Sequence, residues 1–160
     1  MSVRVGQGFD VHPFDRSGER TLILGGVEFT DSPGLVGHSD ADVVAHAVID
    51  ALLGAAALGD IGAHFSDDDP RWQGADSLAM LRRAVEMVRA AGWQPGNVDC
   101  TVIAEAPKLA PRRADMESRL TAAVGAPVSI KAKRAEGLGA LGRAEGIACF
   151  AVAIVSDERA

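Results

Sequence analysis

Asp10, His12 and His46 are the residues best suited to act together in this 160-residue chain. Asp10 and His12 stand two apart at the end of an alternating run, Gly8-Phe9-Asp10-Val11-His12-Pro13. On a strand, side chains at i and i+2 point the same way, so a carboxylate and an imidazole lie side by side. Such a pair suits a borderline cation such as zinc, and it equally describes a surface or capping pair. His46 adds a donor from a helix, with Asp42 and Asp50 four residues to either side on the same face. Two readings stay open for it. It is either a histidine satisfied by those aspartates in a helix–sheet seam, or the third ligand of a metal site with one open position, the arrangement of catalytic centres. In the second reading Asp42 and Asp50 would fix the imidazole tautomer.

His38 and Ser39 directly precede that helix, where free N–H groups and the helix dipole attract anions. His38 could donate to a phosphate or to charge developing in a transition state, or be an exposed loop histidine. Asp60-Ile61-Gly62 and Phe65-Ser66-Asp67-Asp68-Asp69 are polar loop segments, and a charge run is usually a solvated turn. His64 reads as a surface residue. Ala104-Glu105-Ala106-Pro107-Lys108-Leu109 follows a strand end and could shape a slot for a flat base. Lys131, Lys133, Arg134 and Glu136 precede a glycine-rich stretch, Gly137 to Gly146, that contains Arg143 and Glu145 and carries no Walker or dinucleotide fingerprint.

The elements that must position these groups alternate between strand and helix. Residues 3–9 alternate as a strand, and Leu22 to Phe29 forms a hairpin around Gly25-Gly26. A helix is predicted from Asp40 to Leu58, with Ser39 as N-cap and Asp42 in the capping-box position. A second helix covers 76–91, a strand 97–104, a third helix follows Pro111, and strands cover 128–132 and 147–155. The expected architecture is a single α/β domain (an α+β sandwich) spanning 1–160. It has one mainly four-stranded sheet with helices on one face, plus a small hairpin. Three helices cover one face of such a sheet, so the other must meet a partner or solvent.

Composition narrows the function. A formal charge of −6 argues against nucleic-acid or membrane-surface binding, and an acidic chain holds phosphates only where cations or local donors invert the field. Apolar content of 48% with 4% aromatics and no tyrosine calls for a core of Val, Leu, Ile and Ala, the kind a small domain often supplements by oligomerising. Cys100 and Cys149 read as reduced core thiols. The N-terminus has no signal-like apolar segment and no run is long enough to cross a membrane, so the cytoplasm is the expected location.

Several blocks in order, GFDVHPF, GHSDADVVAHAVIDALLGAAALGDIG, DDDP, GNVDCTVIAEAPKL and GRAEGIAC, resemble the 2-C-methyl-D-erythritol 2,4-cyclodiphosphate synthases of the non-mevalonate isoprenoid pathway over essentially the whole chain. The resemblance implies a homotrimer with active sites between subunits. It implies a divalent metal, zinc or similar, on Asp10, His12 and His46, and a second ion, magnesium or manganese, on the substrate diphosphate with Glu136 as its protein ligand. It places His38, Ser39, Asp60 to Gly62 and Phe65 to Asp69 (Ser66, Asp67 and Asp68 included) around the methylerythritol phosphate. Ala104, Glu105, Ala106, Pro107, Lys108, Leu109, Ala110 and the stretch ending at Glu136 would hold the cytidine diphosphate. The implied reaction closes a ring: the 2-phosphate of 4-diphosphocytidyl-2-C-methyl-D-erythritol 2-phosphate attacks its own β-phosphorus and expels CMP. Lys133, Arg134 and Ala135 stand where the family usually has a threonine-rich segment with a phosphate-polarising hydroxyl, so Arg134 is expected to take that catalytic role by charge or by its backbone amide. Ala140 replaces a common aromatic, while Arg143 and Glu145 are kept. A metal-dependent phosphohydrolase and a catalytically impaired trimeric metal- or nucleotide-binding homologue are the alternatives.

Overall fold

The computed structural model describes residues 2–157. The strands are β1 (Val3–Pro13), β2 (Thr21–Leu24), β3 (Val27–Pro33), β4 (Trp93–Ile103), β5 (Val128–Lys133) and β6 (Gly146–Asp157). The helices are α1 (Val43–Ala55), α2 (Ile61–His64), α3 (Ser77–Ala90), α4 (Arg113–Val124) and α5 (Gly139–Gly142). Four strands form one mixed sheet in the order β1-β6-β4-β5, in which only β4 and β5 run parallel. β2 and β3 form a separate hairpin, turned by Gly25 and Gly26 at φ 57° and 73°, the left-handed conformation its tight turn requires.

The expected hairpin, sheet and three main helices are present, with some boundaries corrected: β1 runs on to Pro13, β4 begins at Trp93, and α1 ends at Ala55. The first helix begins at Val43, capped by Asp42, and not at Asp40 behind Ser39. Asp42 is fully buried and wins the cap because it serves two elements. Its Oδ1 accepts from Val44 N and Ala45 N at 3.1 Å each and from Gly25 N at 2.8 Å, and its Oδ2 accepts from Gly26 N at 2.6 Å. The hairpin turn is thereby tied to the helix start. Burial pushes the Asp42 carboxyl up to about 6, with Asp40 adding to the rise and the amides opposing it. The glycine-rich stretch, expected to be loop throughout, contains the single turn of α5.

The three long helices, α1, α3 and α4, cover one face of the sheet. α1 lies on β1 and β6, α4 on β5, and α3 bridges α1 and α4. Cys100 and Cys149 are buried free thiols in this core. Eleven of the thirteen residues of α1 are buried, as for a helix enclosed between sheet and second helix layer. It comes so close to β1 because Gly6 and Gly8 present no side chain: a Cβ on Gly8 would stand 1.9 Å from the Ala47 carbonyl oxygen, and one on Gly6 2.0 Å from that of Ala51. The opposite face of the sheet is apolar and exposed. Val5 (65%), Phe9 (45%), Val11, Phe150 (39%), Val152 and Ile154 all project from it. No helix of the described residues is long and apolar enough to cross a membrane.

Candidate metal centre and anion pocket

β1 continues past Gly6 and Gly8 on the same face to Asp10 and His12, and α1, seated on those glycines, carries His46 to the same point. The Asp10 Oδ2 lies 2.9 Å from His12 Nε2 and 3.0 Å from His46 Nδ1, and the two imidazole nitrogens are 3.3 Å apart. One donor atom from each residue thus falls within 4.8 Å of the others, and this is the one such group among the described residues.

The other nitrogen of each imidazole is already engaged. His12 Nδ1–H donates to the Val36 carbonyl at 2.7 Å, which leaves the Nε2 lone pair for the cluster. His46 Nε2 lies 2.9 Å from Ser77 Oγ and 3.0 Å from Ser39 Oγ. The Ser77 hydroxyl donates to Asp40 Oδ1 in a very short contact, so its oxygen accepts from His46 Nε2–H and the Nδ1 lone pair is bare. Asp40 also accepts from the Ser77 backbone N–H at 3.0 Å, docking the start of α3 against the histidine. Two bare imidazole nitrogens and a carboxylate aimed at one point form the donor set of a divalent cation, and the bonds behind them set both tautomers. The residues fit a metal.

Electrostatics agree. Burial alone would push Asp10 up, but with no cation present any proton taken up on the inward-facing imidazole nitrogens is donated to it. These hydrogen bonds and charges of His12 and His46 outweigh burial and hold the carboxyl well below the usual range. Burial alone would lower His12, yet Asp10, helped by the Val36 carbonyl, raises it against burial and the Arg20 charge.

The tautomer role expected of Asp42 and Asp50 is not what they do. Asp42 caps α1, and Asp50 accepts from Ile61 N at 2.7 Å, holding the next loop. Their i±4 positions put them on the flank of His46, but unsatisfied amides nearby claim both carboxylates. Ser39, expected to face a substrate at a helix terminus, turns its hydroxyl inward to His46, and the α1 terminal amides are taken by Asp42. Ser77, Asp40 and Val36 were missed; the legible signal was Asp76-Ser77 opening α3, whose cap residue is Asp76.

A cavity of about 200 Å³ opens beside the cluster. Of the expected residues it takes His38, Ser39, Ile61, Gly62, Phe65 and Asp67, together with Trp72 and Met80, which sequence reasoning did not select. His38 Nε2 bonds to the Asp69 carbonyl at 3.2 Å and is no part of the cluster. The other carboxylates of these loops do local work: Asp60 caps α2 through Ala63 N, Asp69 caps the 3-10 turn Pro70–Trp72 and pairs with Arg71 at 2.6 Å, and Asp68 is exposed. Ser66 accepts from Asp68 N at 3.2 Å. His64, expected to be a plain surface residue, is half-buried and bonded to the Leu58 carbonyl at 2.7 Å.

A separate cavity of about 380 Å³ is lined by Ala104, Glu105, Pro107, Lys108, Leu109, Ala110, Ala132, Lys133 and Arg134, and it shares no residue with the first. Arg134 Nε and Nη2 donate to Glu105 Oε2 at 2.9 and 2.7 Å, and Ala135 N donates to Glu105 Oε1 at 2.8 Å. The pairing holds the Glu105 carboxyl below its ordinary range. Ala106 lines a different depression, with Phe14 and Ala144. Glu136 is exposed at φ 53°, outside the Asp10 cluster, and Arg143 pairs with Glu145 at 2.7 Å. Within one chain, then, Arg134 and Glu136 are not brought to the metal donors.

Comparison with known proteins gives a consistent result. The YgbB family pattern matches residues 3–156. The 2-C-methyl-D-erythritol 2,4-cyclodiphosphate synthase of Bordetella petrii is 57% identical over 156 residues, covering 96% of this chain and 95% of that protein. Among solved structures, the bifunctional IspDF of Campylobacter jejuni superposes with a TM-score of 0.92 at 38% identity, over 98% of this chain and 42% of that one. IspF of Plasmodium falciparum in complex with CDP superposes with a TM-score of 0.83 at 31% identity, over 99% of this chain and 98% of that one.

Proposed function

This chain belongs to the YgbB family, and from that premise we propose that it is an enzyme converting 4-diphosphocytidyl-2-C-methyl-D-erythritol 2-phosphate to 2-C-methyl-D-erythritol 2,4-cyclodiphosphate and CMP, a phosphorus–oxygen lyase acting as a single domain in the cytoplasm. The observation that carries this reading is the convergence of Asp10, His12 and His46, each imidazole already fixed in the ligating tautomer. The relatives named as cyclodiphosphate synthases and the CDP complex of a structural neighbour support the substrate class.

The reaction needs no protein nucleophile. The 2-phosphate oxygen bonds to the β-phosphorus, the bond from that phosphorus to the bridging oxygen breaks, and CMP leaves with that oxygen. The protein must fold the substrate back on itself and tolerate two phosphates pressed together. A divalent ion on Asp10, His12 and His46, zinc by its nitrogen-rich ligands, supplies positive charge to the phosphates when bound. A second ion, magnesium or manganese, would belong with Glu136 and the diphosphate. His38 and the 61–67 segment line the space beside the donors and position the methylerythritol end. The basic pocket with Lys108, Lys133 and Arg134 takes the cytidine diphosphate, and its net positive charge offsets the acidity of the chain as a whole.

Because the two cavities share no residue, we place the complete site between subunits. The exposed apolar face with Phe9 and Phe150, whose rings lie 4.8 Å apart, supplies the surface for a homotrimer. Incubation of the cytidylyl substrate with Mg²⁺, followed by phosphorus NMR, is the test. CMP with cyclic diphosphate is expected; CMP with a linear product would make the protein a phosphohydrolase, and binding without turnover an impaired homologue.

A further inference from the structure

The pocket beside β5 holds three cationic side chains, Lys108, Lys133 and Arg134, against one carboxylate, Glu105, in a chain whose formal charge is −6. Among the described residues the two lysine ammonium groups have no hydrogen-bond or ion-pair partner, whereas Arg134 is gripped by two of its three guanidinium nitrogens. The grip comes from a side chain that is only 11% exposed and that also takes the Ala135 amide, while the arginine it holds is 67% exposed. An exposed arginine on its own samples many rotamers; one clamped by Nε and Nη2 keeps its plane and presents the remaining nitrogen, Nη1, in a fixed direction.

We infer that Glu105 is a positioning residue for nucleotide binding: it clamps the Arg134 guanidinium so that Nη1, with Lys108 and Lys133, reads the phosphate charge of a cytidine nucleotide. This rests on the proposed cytidine diphosphate site and deepens it. A rigid cationic set of this kind holds a diphosphate more tightly than a monophosphate. Loss of the β-phosphate during ring closure therefore weakens the pocket's hold on CMP and favours its release. The residues that replace the neutral hydroxyls usual at this position would act by charge, and their contribution would fall with salt.

Charge alone and positioning give opposite signs for Glu105→Gln. The substitution removes a negative charge from an anion pocket, so a purely electrostatic role makes CDP bind more tightly. It also keeps an oxygen for the Ala135 amide while losing the ionic clamp on Arg134, so a positioning role makes CDP bind more weakly, by about tenfold. Calorimetric titration of the full-length protein with CDP and with CMP, at low and moderate salt, separates them. We expect weaker CDP binding in Glu105→Gln and a smaller CDP-to-CMP preference. In an Arg134→Ala background we expect the same Glu105→Gln change to tighten CDP, because only the repulsive carboxylate is then removed. Unchanged or tighter CDP binding in the single Glu105→Gln variant overturns the inference. Failure of the unmodified protein to bind CDP would instead overturn the proposed nucleotide site itself.

Discussion

At the metal cleft each donor nitrogen is set by a group behind it, and those groups are themselves held: the Val36 carbonyl behind His12, its backbone tied to Pro13, Ser77 and Asp40 behind His46, and Gly6 and Gly8 beneath α1. At the basic pocket the cations stand at the surface, and the one that is held is held by a single ion pair. The first region is built for geometry, as a cation with defined coordination requires, and it rests on the almost wholly buried helix α1 and the strand beneath it. The second is built for charge, which tolerates movement but is screened by solvent. Substitutions in the first should therefore act on metal content, and on stability as well where they disturb the packing, whereas substitutions in the second should act on the nucleotide and leave the metal in place.

The largest effect expected is that of His46→Ala, which removes one of three ligands from a good helix position. Turnover should fall by roughly 10³-fold or more with bound metal lost, while circular dichroism remains native; loss of folding with metal retained would show a purely structural histidine. Gly8→Ala comes next. The new methyl drives into the Ala47 carbonyl, and we expect a loss of about 3 kcal/mol in denaturant unfolding, at the upper end for overpacking, accompanied by weakened metal binding. Ser77→Ala leaves the ligands in place but frees the His46 tautomer, so metal affinity should drop by about 10- to 100-fold in a competition titration. Arg134→Ala is expected to act on the other region only: weaker CDP binding and a raised KM, with metal content unchanged. Unchanged KM and kcat would assign the phosphate-polarising role to the backbone amide.

What the chain's letters revealed differs between the same two regions. Asp10 and His12 were legible because strand period two puts them side by side, and His46 because it lies on a well-marked helix. The cause of their convergence was also written there, as Gly6 and Gly8 facing Ala47 and Ala51, but close approach of backbone to backbone has no periodicity to announce it. Asp42 and Asp50 were misassigned because a helical neighbour at four residues is near enough to be a partner, and only the three-dimensional position of Gly25, Gly26 and Ile61 shows that other amides claim them. Ser77 could not be paired with His46 without the packing of α3 on α1. The 104–110 and 133–136 segments were marked by resemblance, and the Glu105–Arg134 pair that organises them spans 29 residues with no local signal.

The smallest effect expected is a pH dependence that sharpens the comparison further. Asp10 raises the pKa of His12 above 6.5 in the folded protein, so without metal this group contributes stability that is full below 6.5 and is lost as pH rises through its folded value. Metal must displace that proton, so its stabilisation changes in the other direction and grows as pH rises. The gap between the melting temperatures of metal-loaded and chelator-treated protein should widen as pH rises from 6.5 through the raised folded pKa of His12, where the imidazole loses its proton. A gap independent of pH would mean that His12 takes no part.

Metal content of the purified protein and of its Asp10→Ala, His12→Ala and His46→Ala variants, each confirmed as folded, tests the shared cation most directly. One tightly held divalent ion per chain in the unmodified protein, and its loss in all three variants, is the expected result. Full retention of that ion in any one of them would contradict a single centre assembled from the strand and the helix.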